Sequence, residues 1–569
     1  MKQTNAKGQT GDETRQENGS PASPGYERQE NCPPASPGCE RQENCSPVSP
    51  GCERQENRPL SPYLAHLDAV FEEDPSLELD AREYEDYTPD DPVSKHGVQY
   101  TKKEDKVDRM GTAKLGMLIV EFAIPAIISM VVNGSYNVLA SIFLGLKLGE
   151  MGLATVTIAT PVMTMALAIS VLVGAGGNAL AAIKLGEGKR ETAERVMSNT
   201  FILSVALGII STTAVLLFLE PILIFSGATE ALLGPARIFV GITAAGFIFQ
   251  FTGMGFNNFM RTAGNPRGAL YTVTAGITTS IVLSYLFVMV FDWGVTGSAL
   301  ATVIGMLVLA ILVLHYFTRS KKAPFKLRFS LMKPSARLMA NICVLGSAGF
   351  FLQSAAVVIN LLLNNQLVHY GALDPIGAEG ALAAVGVMSR IAMFSFFPIL
   401  GISIAIQPLL GYNYGARHFA RVKRTFLIAM AWAVAFGIFF WLLVHLFPTP
   451  IVGAFGVDNE LHEFTIKAVQ VMMMLMPFIG LQILGAGYFQ ATGQPIKSMF
   501  VSLTRQLLFL IPLLYFLPLA VQQIATSITP LESIAYAFPI ADVLSIITAS
   551  TMILIEFRRL TRLQEELKE

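Results

Sequence analysis

Four ionisable side chains stand inside long apolar runs and away from their ends: Glu121, Arg390, Arg505 and Asp542. A charge at the centre of a membrane helix costs about 2.5 to 3.5 kcal/mol on insertion scales, so each needs a partner, water or a task. Glu121 and Arg505 lie within about two turns of a run's end, where snorkelling or a neighbour such as Lys114 suffices. Arg390 and Asp542 lie deeper. A carboxylate in a partly dry cavity can take up and release a proton or a sodium ion, which makes Asp542 the ion-coupling candidate. Arg390 is the structural-charge candidate, and an ion pair between the two is the alternative use of both.

Uncharged amides recur in the same runs. Asn137, Asn178, Gln250, Asn257 and Asn258 fall in the first half of the apolar region, and Gln353, Asn360, Asn364, Gln407, Gln482 and Gln490 in the second. Each either lines a substrate cavity or ties two helices by a hydrogen bond worth about 0.6 to 2 kcal/mol. Both readings stay open from sequence.

Signals for other chemistry are weak. The seven histidines are scattered, with no pair at metal-ligand spacing. Gly174–Ala179 (GAGGNA) imitates part of a dinucleotide loop, but it closes an apolar run with no strand before it. No Walker A sequence is present and no acids cluster within the apolar runs, so no catalytic constellation, bound metal or cofactor is expected beyond a transported proton or sodium ion. The chain is read as not an enzyme. Cys32, Cys39, Cys45 and Cys52 sit six or seven residues apart in a polar repeat, unlike the CxxC pairs of a zinc site, and Cys343 stands in an apolar run.

The elements that must position these residues follow from composition. Of 569 residues, 52% are hydrophobic and 15% charged, and mean hydropathy is +0.50. Soluble domains carry about 25% charged residues, so an ordinary soluble enzyme is excluded and a polytopic membrane protein is expected. The net charge of -1 gives no basic surface for nucleic acid. Twelve apolar runs, each long enough for the roughly 20 residues of a spanning helix, cover about 116–142, 152–176, 197–219, 235–257, 268–291, 294–317, 340–365, 380–406, 425–447, 464–490, 496–519 and 533–557. None shows the period-two alternation of a barrel strand.

Residues 1–115 contain no such run. A 13-residue unit repeats there, SPGYERQENCPPA from Ser23, SPGCERQENCSPV from Ser36 and SPGCERQENRPLS from Ser49, followed by an acidic stretch over 60–95. Sequence this polar cannot bury enough apolar area to offset chain entropy, so a disordered extension is expected. With that extension in the cytoplasm, the inner loops hold 18 Lys and Arg and the outer ones three, Lys147, Arg237 and Lys467. The positive-inside rule then places both chain ends in the cytoplasm.

The two halves repeat at a fixed offset. EMGLATVTI from Glu150 and EGALAAVGV from Glu379 are 229 residues apart, as are FMRTAGNP from Phe259 and YFQATGQP from Tyr488. Six spans return a chain to its starting side, so the expected fold is all-α, with twelve transmembrane helices in two parallel-repeat six-helix bundles, 116–317 and 340–557. A basic linker, 318–339, joins them, and 558–569 forms a tail.

Five motifs in order on this framework resemble the multidrug and toxic compound extrusion (MATE) transporters, nearest to their bacterial multidrug-export branch. They are MGTAKLGMLIVEFAIPAIISMVVNGSYNVLASIFLG (Met110–Gly145), AAIKLGEGKRETAERV (Ala181–Val196), GFNNFMRTAGNP (Gly255–Pro266), QPLLGYNYGARHFARVKRTF (Gln407–Phe426) and FPIADVLS (Phe538–Ser545). The resemblance spans about 108–562. It implies alternating-access export of amphipathic drugs, toxins or metabolites by proton or sodium antiport, with a lipid-linked saccharide flippase of the same superfamily as the alternative. It also implies a monomer in the plasma or inner membrane whose partners are the bilayer and a small amphipathic substrate. Two departures stand out: the aspartates usual in the family's first and fifth helices are replaced here by Ala140 and Ser284.

Overall fold

The structure, a computed structural model, describes residues 106–321, 323–455, 459–524 and 528–569, and of these the side chains at 137, 138, 150, 329, 459 and 460 are not described. The repeated extension expected to be disordered lies outside the described residues.

Among the described residues there are ten single helices long and apolar enough to span a membrane and two bent pairs that each make one more, twelve spans together. They are α1 (Leu115–Gly149), α2 (Met151–Gly186), α3 (Arg190–Leu217), α4 (Glu230–Ala245 with Phe247–Thr262, bent by 51°), α5 (Pro266–Val290) and α6 (Gly294–Arg319). The second set is α7 (Ala336–Gly371), α8 (Gly377–Gly415), α9 (Phe419–Leu446), α10 (Leu461–Met472 with Met476–Ala491, bent by 49°), α11 (Pro495–Gln523) and α12 (Pro530–Glu566). At 1.5 Å per residue the 36 residues of α2 are about 54 Å long, well beyond a bilayer core of about 30 Å, so the long helices also build the protein outside the hydrocarbon.

Starts and stops follow local chemistry. Asn265 caps α5 by accepting from the Gly268 amide at 3.1 Å, with Pro266 in the first helical position. Thr529 and Glu532 form a reciprocal capping box at the start of α12, at 3.1 and 3.2 Å. Two spans contain π-helical turns, Tyr285–Val290 in α5 and Thr504–Leu510 in α11.

The repeat is visible in the backbone. Left-handed residues occur at Gly149 and Gly377, at Gly188 and Arg417, and at Gly264 and Gly493, so equivalent turns recur 228 or 229 residues apart. Gly149, at φ 61°, lets α1 turn into α2 within one residue, a conformation that costs most residues with a Cβ.

The bundles meet along α1 and α2 on one side and α7 and α8 on the other. Glycines make that seam. A Cβ on Gly176 would overlap the Ile342 carbonyl, and one on Gly346 that of Leu172; Gly186 and Gly415 stand likewise against the carbonyls of Tyr412 and Ile183. In lipid no hydrophobic force drives helices together, so close backbone approach through small residues supplies the contact.

The connection between the bundles is more than a basic loop. The Lys326 amide donates to Glu194 Oε1 at 2.8 Å and Arg328 Nε lies 3.1 Å from Glu194 Oε2, while Asn199 accepts from the Ser335 amide at 2.9 Å. Phe325 and Leu327 are buried beneath it. The linker is therefore docked on α3.

Candidate functional site

The seam between the bundles is closed at one end and parted at the other. Toward the end that carries residues 106–114 and the close of α12, the facing side chains Ala182, Ile183, Ile342, Leu345 and Tyr414 are fully buried. The preceding segment adds a plug: Asn413 Nδ2 donates to the Met110 carbonyl at 3.0 Å and Arg421 Nε to the same oxygen at 3.3 Å. Past Gly134, which abuts the Phe397 ring, and past the 4.0 Å approach of Ser354 Oγ to Met165 Sδ, the faces of α7 and α8 that carry Gly346 and Gly401 at the sealed end present exposed side chains. Asn360, Asn364, Arg390 and Phe394 are among them. The result is a cleft that opens at the end bearing Gly149 and Gly377.

Helical phase identifies what faces it. On α7, Gly346 touches α2, and Gln353, Asn360 and Asn364 follow at about two, four and five turns on the same face. On α8, Gly401 meets Ile127 of α1 and Phe397 meets Gly134; Phe394 and Arg390 lie about two and three turns from Gly401 on that face. Both are exposed. The cleft wall of the second bundle thus combines amides, an aromatic pair, Phe394 and Phe397, with centroids 5.9 Å apart, and one cation.

Most of the other amides tie helices together. Asn178 accepts from Thr262 of α4, Asn257 Nδ2 donates to the Ala269 carbonyl at 2.8 Å and to Thr272 at 3.0 Å, and Gln482 Nε2 reaches the Val501 carbonyl at 3.4 Å. Gln407 is half-buried against Gly487 of α10, and Gln250 Oε1 is buried without a partner. Asn137 lies on α1, but its side chain is outside those described. The expected cavity set therefore splits, with Gln353 and Asn360 on the cleft face and Asn178, Asn257 and Gln482 inside the bundles.

The pairing of Asp542 with Arg390, the alternative that the sequence leaves open, does not form. Asp542 Oδ1 takes Arg505 Nε at 2.5 Å, and the guanidinium also lies 5.8 Å from the Phe396 ring centroid. Arg505 stands in the π-helical turn of α11, and no feature of composition or period places that turn. Asp542 is 1% exposed and its Oδ2 has no hydrogen-bond partner among the described residues. It lies twelve residues into α12, about 18 Å along the helix from Pro530. Glu121 pairs with Arg109 at 3.2 Å, not with Lys114.

Two buried carboxylates escaped sequence reasoning because they lie near span ends. Glu194 holds the linker, and Glu556 receives Lys497 and Gln494 at 2.8 Å each and Arg559 at 3.2 Å. Both are fully engaged and structural. Among the described residues no group of three His, Cys, Asp or Glu could hold a metal ion.

Known proteins match this arrangement. The family model described as MatE matches residues 125–286 and again 374–516, one match in each bundle. The multidrug export protein MepA of Staphylococcus aureus strain MRSA252 is 23% identical over 454 residues, covering 79% of this chain and 96% of the relative. Among solved structures, a ligand complex of the multidrug transporter DinF-BH is 32% identical, covers 80% of this chain and 98% of its own, and has a TM-score of 0.71. An outward-facing multidrug resistance transporter of the MOP superfamily shares the fold at a TM-score of 0.74 and 20% identity, covering 81% and 99% of the two chains.

Proposed function

The chain belongs to the MatE family of multi-pass membrane transporters, and from that premise we propose that it is a secondary active exporter of amphipathic small molecules, driven by inward movement of protons or sodium ions. The observation that carries this reading is the cleft between two repeat-related bundles, sealed at one end by glycine-mediated backbone contact and parted at the other. Alternating access requires such a site between repeats and two discrete arrangements of one repeat against the other. The names of the relatives, a multidrug export protein and a multidrug transporter, support an efflux role. In reconstituted vesicles the full chain should move members of an amphipathic compound panel only when a proton or sodium gradient is imposed. Transport that ignores both gradients for every compound would overturn the coupled mechanism.

The orientation of the cleft belongs to the same reading. With 18 basic residues in one set of loops and three in the other, the sealed end and both chain ends face the cytoplasm, and the cleft opens outward. The extension 1–115, the bundles 116–317 and 340–557, the linker and the tail are then cytoplasm, membrane, membrane, cytoplasm and cytoplasm in turn, in a monomer of the cell membrane. A cysteine introduced as Asp374→Cys should react with an impermeant maleimide added to intact cells, and one introduced as Lys321→Cys should not. The opposite labelling pattern would invert the topology.

A further inference from the structure

Of the four charges inside the spans, three are accounted for by ion pairs. Glu121 is neutralised by Arg109 and Asp542 by Arg505, and Arg390 has neither an ion-pair nor a hydrogen-bond partner among the described residues. Its helical phase puts it on the cleft face of α8, exposed, with Phe394 and Phe397 one and two turns farther in. Among the described residues the walls opposite offer it no acid. On α1 the cleft-facing positions near Gly134 include Val131 and Ser141, and Ala140 stands where the resemblance would place an aspartate. On α7 they are Gln353, Asn360 and Asn364. The nearest carboxylate on the same face of α8 is Glu379, eleven residues and about 16 Å away toward the mouth.

An exposed guanidinium keeps its hydration. Closure of the cleft removes that water, and a buried unpaired cation carries a large desolvation penalty. The charge balances when an anion enters with the substrate. Arg also presents a planar fork of donors suited to carboxylate, sulfonate or phosphate oxygens. The aromatic pair below it supplies an apolar contact for the remainder of such a molecule.

We propose that the cleft binds amphipathic anions, with Arg390 as the residue that receives the anionic group and Phe394 and Phe397 as the floor for the apolar body. This assignment rests on the export reading and specifies its substrate class. The anionic group belongs either to a dissolved solute or to a lipid headgroup.

The test uses three probes that share one fluorophore: dansylglycine, an anion; dansylcadaverine, a cation; and dansylamide, neutral. Binding is measured to the full chain in phosphatidylcholine nanodiscs, where no gradient exists. The wild type should bind dansylglycine at least about tenfold more tightly than dansylcadaverine. Arg390→Gln should lose that tenfold preference with dansylamide affinity unchanged, Arg390→Lys should keep most of it, and Arg390→Glu should reverse it. Because Arg390 is exposed and has no partner among the described residues, these changes leave packing intact. Adding phosphatidylglycerol to the discs separates the sources: competition that depends on Arg390 assigns the site to a headgroup, and its absence to a dissolved anion. Equal wild-type affinities for the anion and cation, or a dansylglycine affinity within twofold of wild type in Arg390→Gln, would overturn the assignment. Charge-selective binding without gradient-driven transport would overturn the export reading alone. Driven transport of dansylcadaverine but not dansylglycine would overturn the anion assignment alone.

Discussion

Gly346→Ala should reduce transport at least about tenfold while leaving membrane insertion intact. The added Cβ would overlap the Leu172 carbonyl oxygen, and a backbone atom held in the middle of α2 cannot rotate away as a side-chain end would. The two helices must separate instead. Overpacking of this kind costs about 1 to 3 kcal/mol in ordinary cores, and all of it falls on the arrangement in which the seam is closed. The arrangement with that seam parted pays nothing, so the population shifts toward it; a two-state equilibrium moves about tenfold for each 1.4 kcal/mol of differential cost. Cys343, a free thiol one turn from Gly346, reports the shift. In a chain whose extension cysteines are replaced by serine, a thiol reagent applied from the sealed side should label Cys343 several-fold faster in Gly346→Ala than in wild type. Gly234→Ala, where nothing lies within 4 Å of the new Cβ, should match wild type in both assays. Unchanged transport and labelling in Gly346→Ala would show that the seam does not govern access.

The spans and their pairing into repeats were legible because both leave one-dimensional traces: apolar run length for the helices, and the shared offset of FMRTAGNP and YFQATGQP for the repeat. The turns at Gly264 and Gly493 then adopt the same left-handed conformation, as Gly followed by Asn-Pro or Gln-Pro requires. The residues of the cleft were less legible, because polarity alone does not say which way an amide points. Asn257 and Asn360 look equivalent in sequence. Asn257 donates to the Ala269 carbonyl and the Thr272 hydroxyl of α5, whereas Asn360 continues the stripe begun by Gly346, and only the glycine contact fixes that phase. Arg505 was hidden for a different reason. Its meeting with Asp542 joins α11 to α12 through a π-helical turn, and a period of 3.6 residues cannot foresee a turn that breaks it.

That ion pair changes what substitution at Asp542 reports. Asp542→Asn alone leaves Arg505, 18% exposed, without its counter-charge, and breaking a buried pair from one side costs about 3 to 5 kcal/mol. The single variant should therefore lose thermal stability and folded yield whether or not Asp542 moves ions. The double variant Asp542→Asn with Arg505→Gln removes both charges and should recover most of that stability, since an uncharged hydrogen-bonded pair avoids the unpaired cation. It is this folded double variant that tests coupling. Asp542 Oδ1 is taken by Arg505 while Oδ2 is buried with no partner, so one oxygen remains to receive a proton or contribute to a sodium site. If that oxygen serves the driving ion, the double variant should bind dansylglycine with wild-type affinity yet show no acceleration of transport when a proton or sodium gradient is imposed. Exchange of substrate down its own gradient should persist, because the cleft and its glycine seam are untouched. Gradient-driven transport at the wild-type rate in the double variant would remove Asp542 from the coupling step and confine the pair to holding α11 against α12.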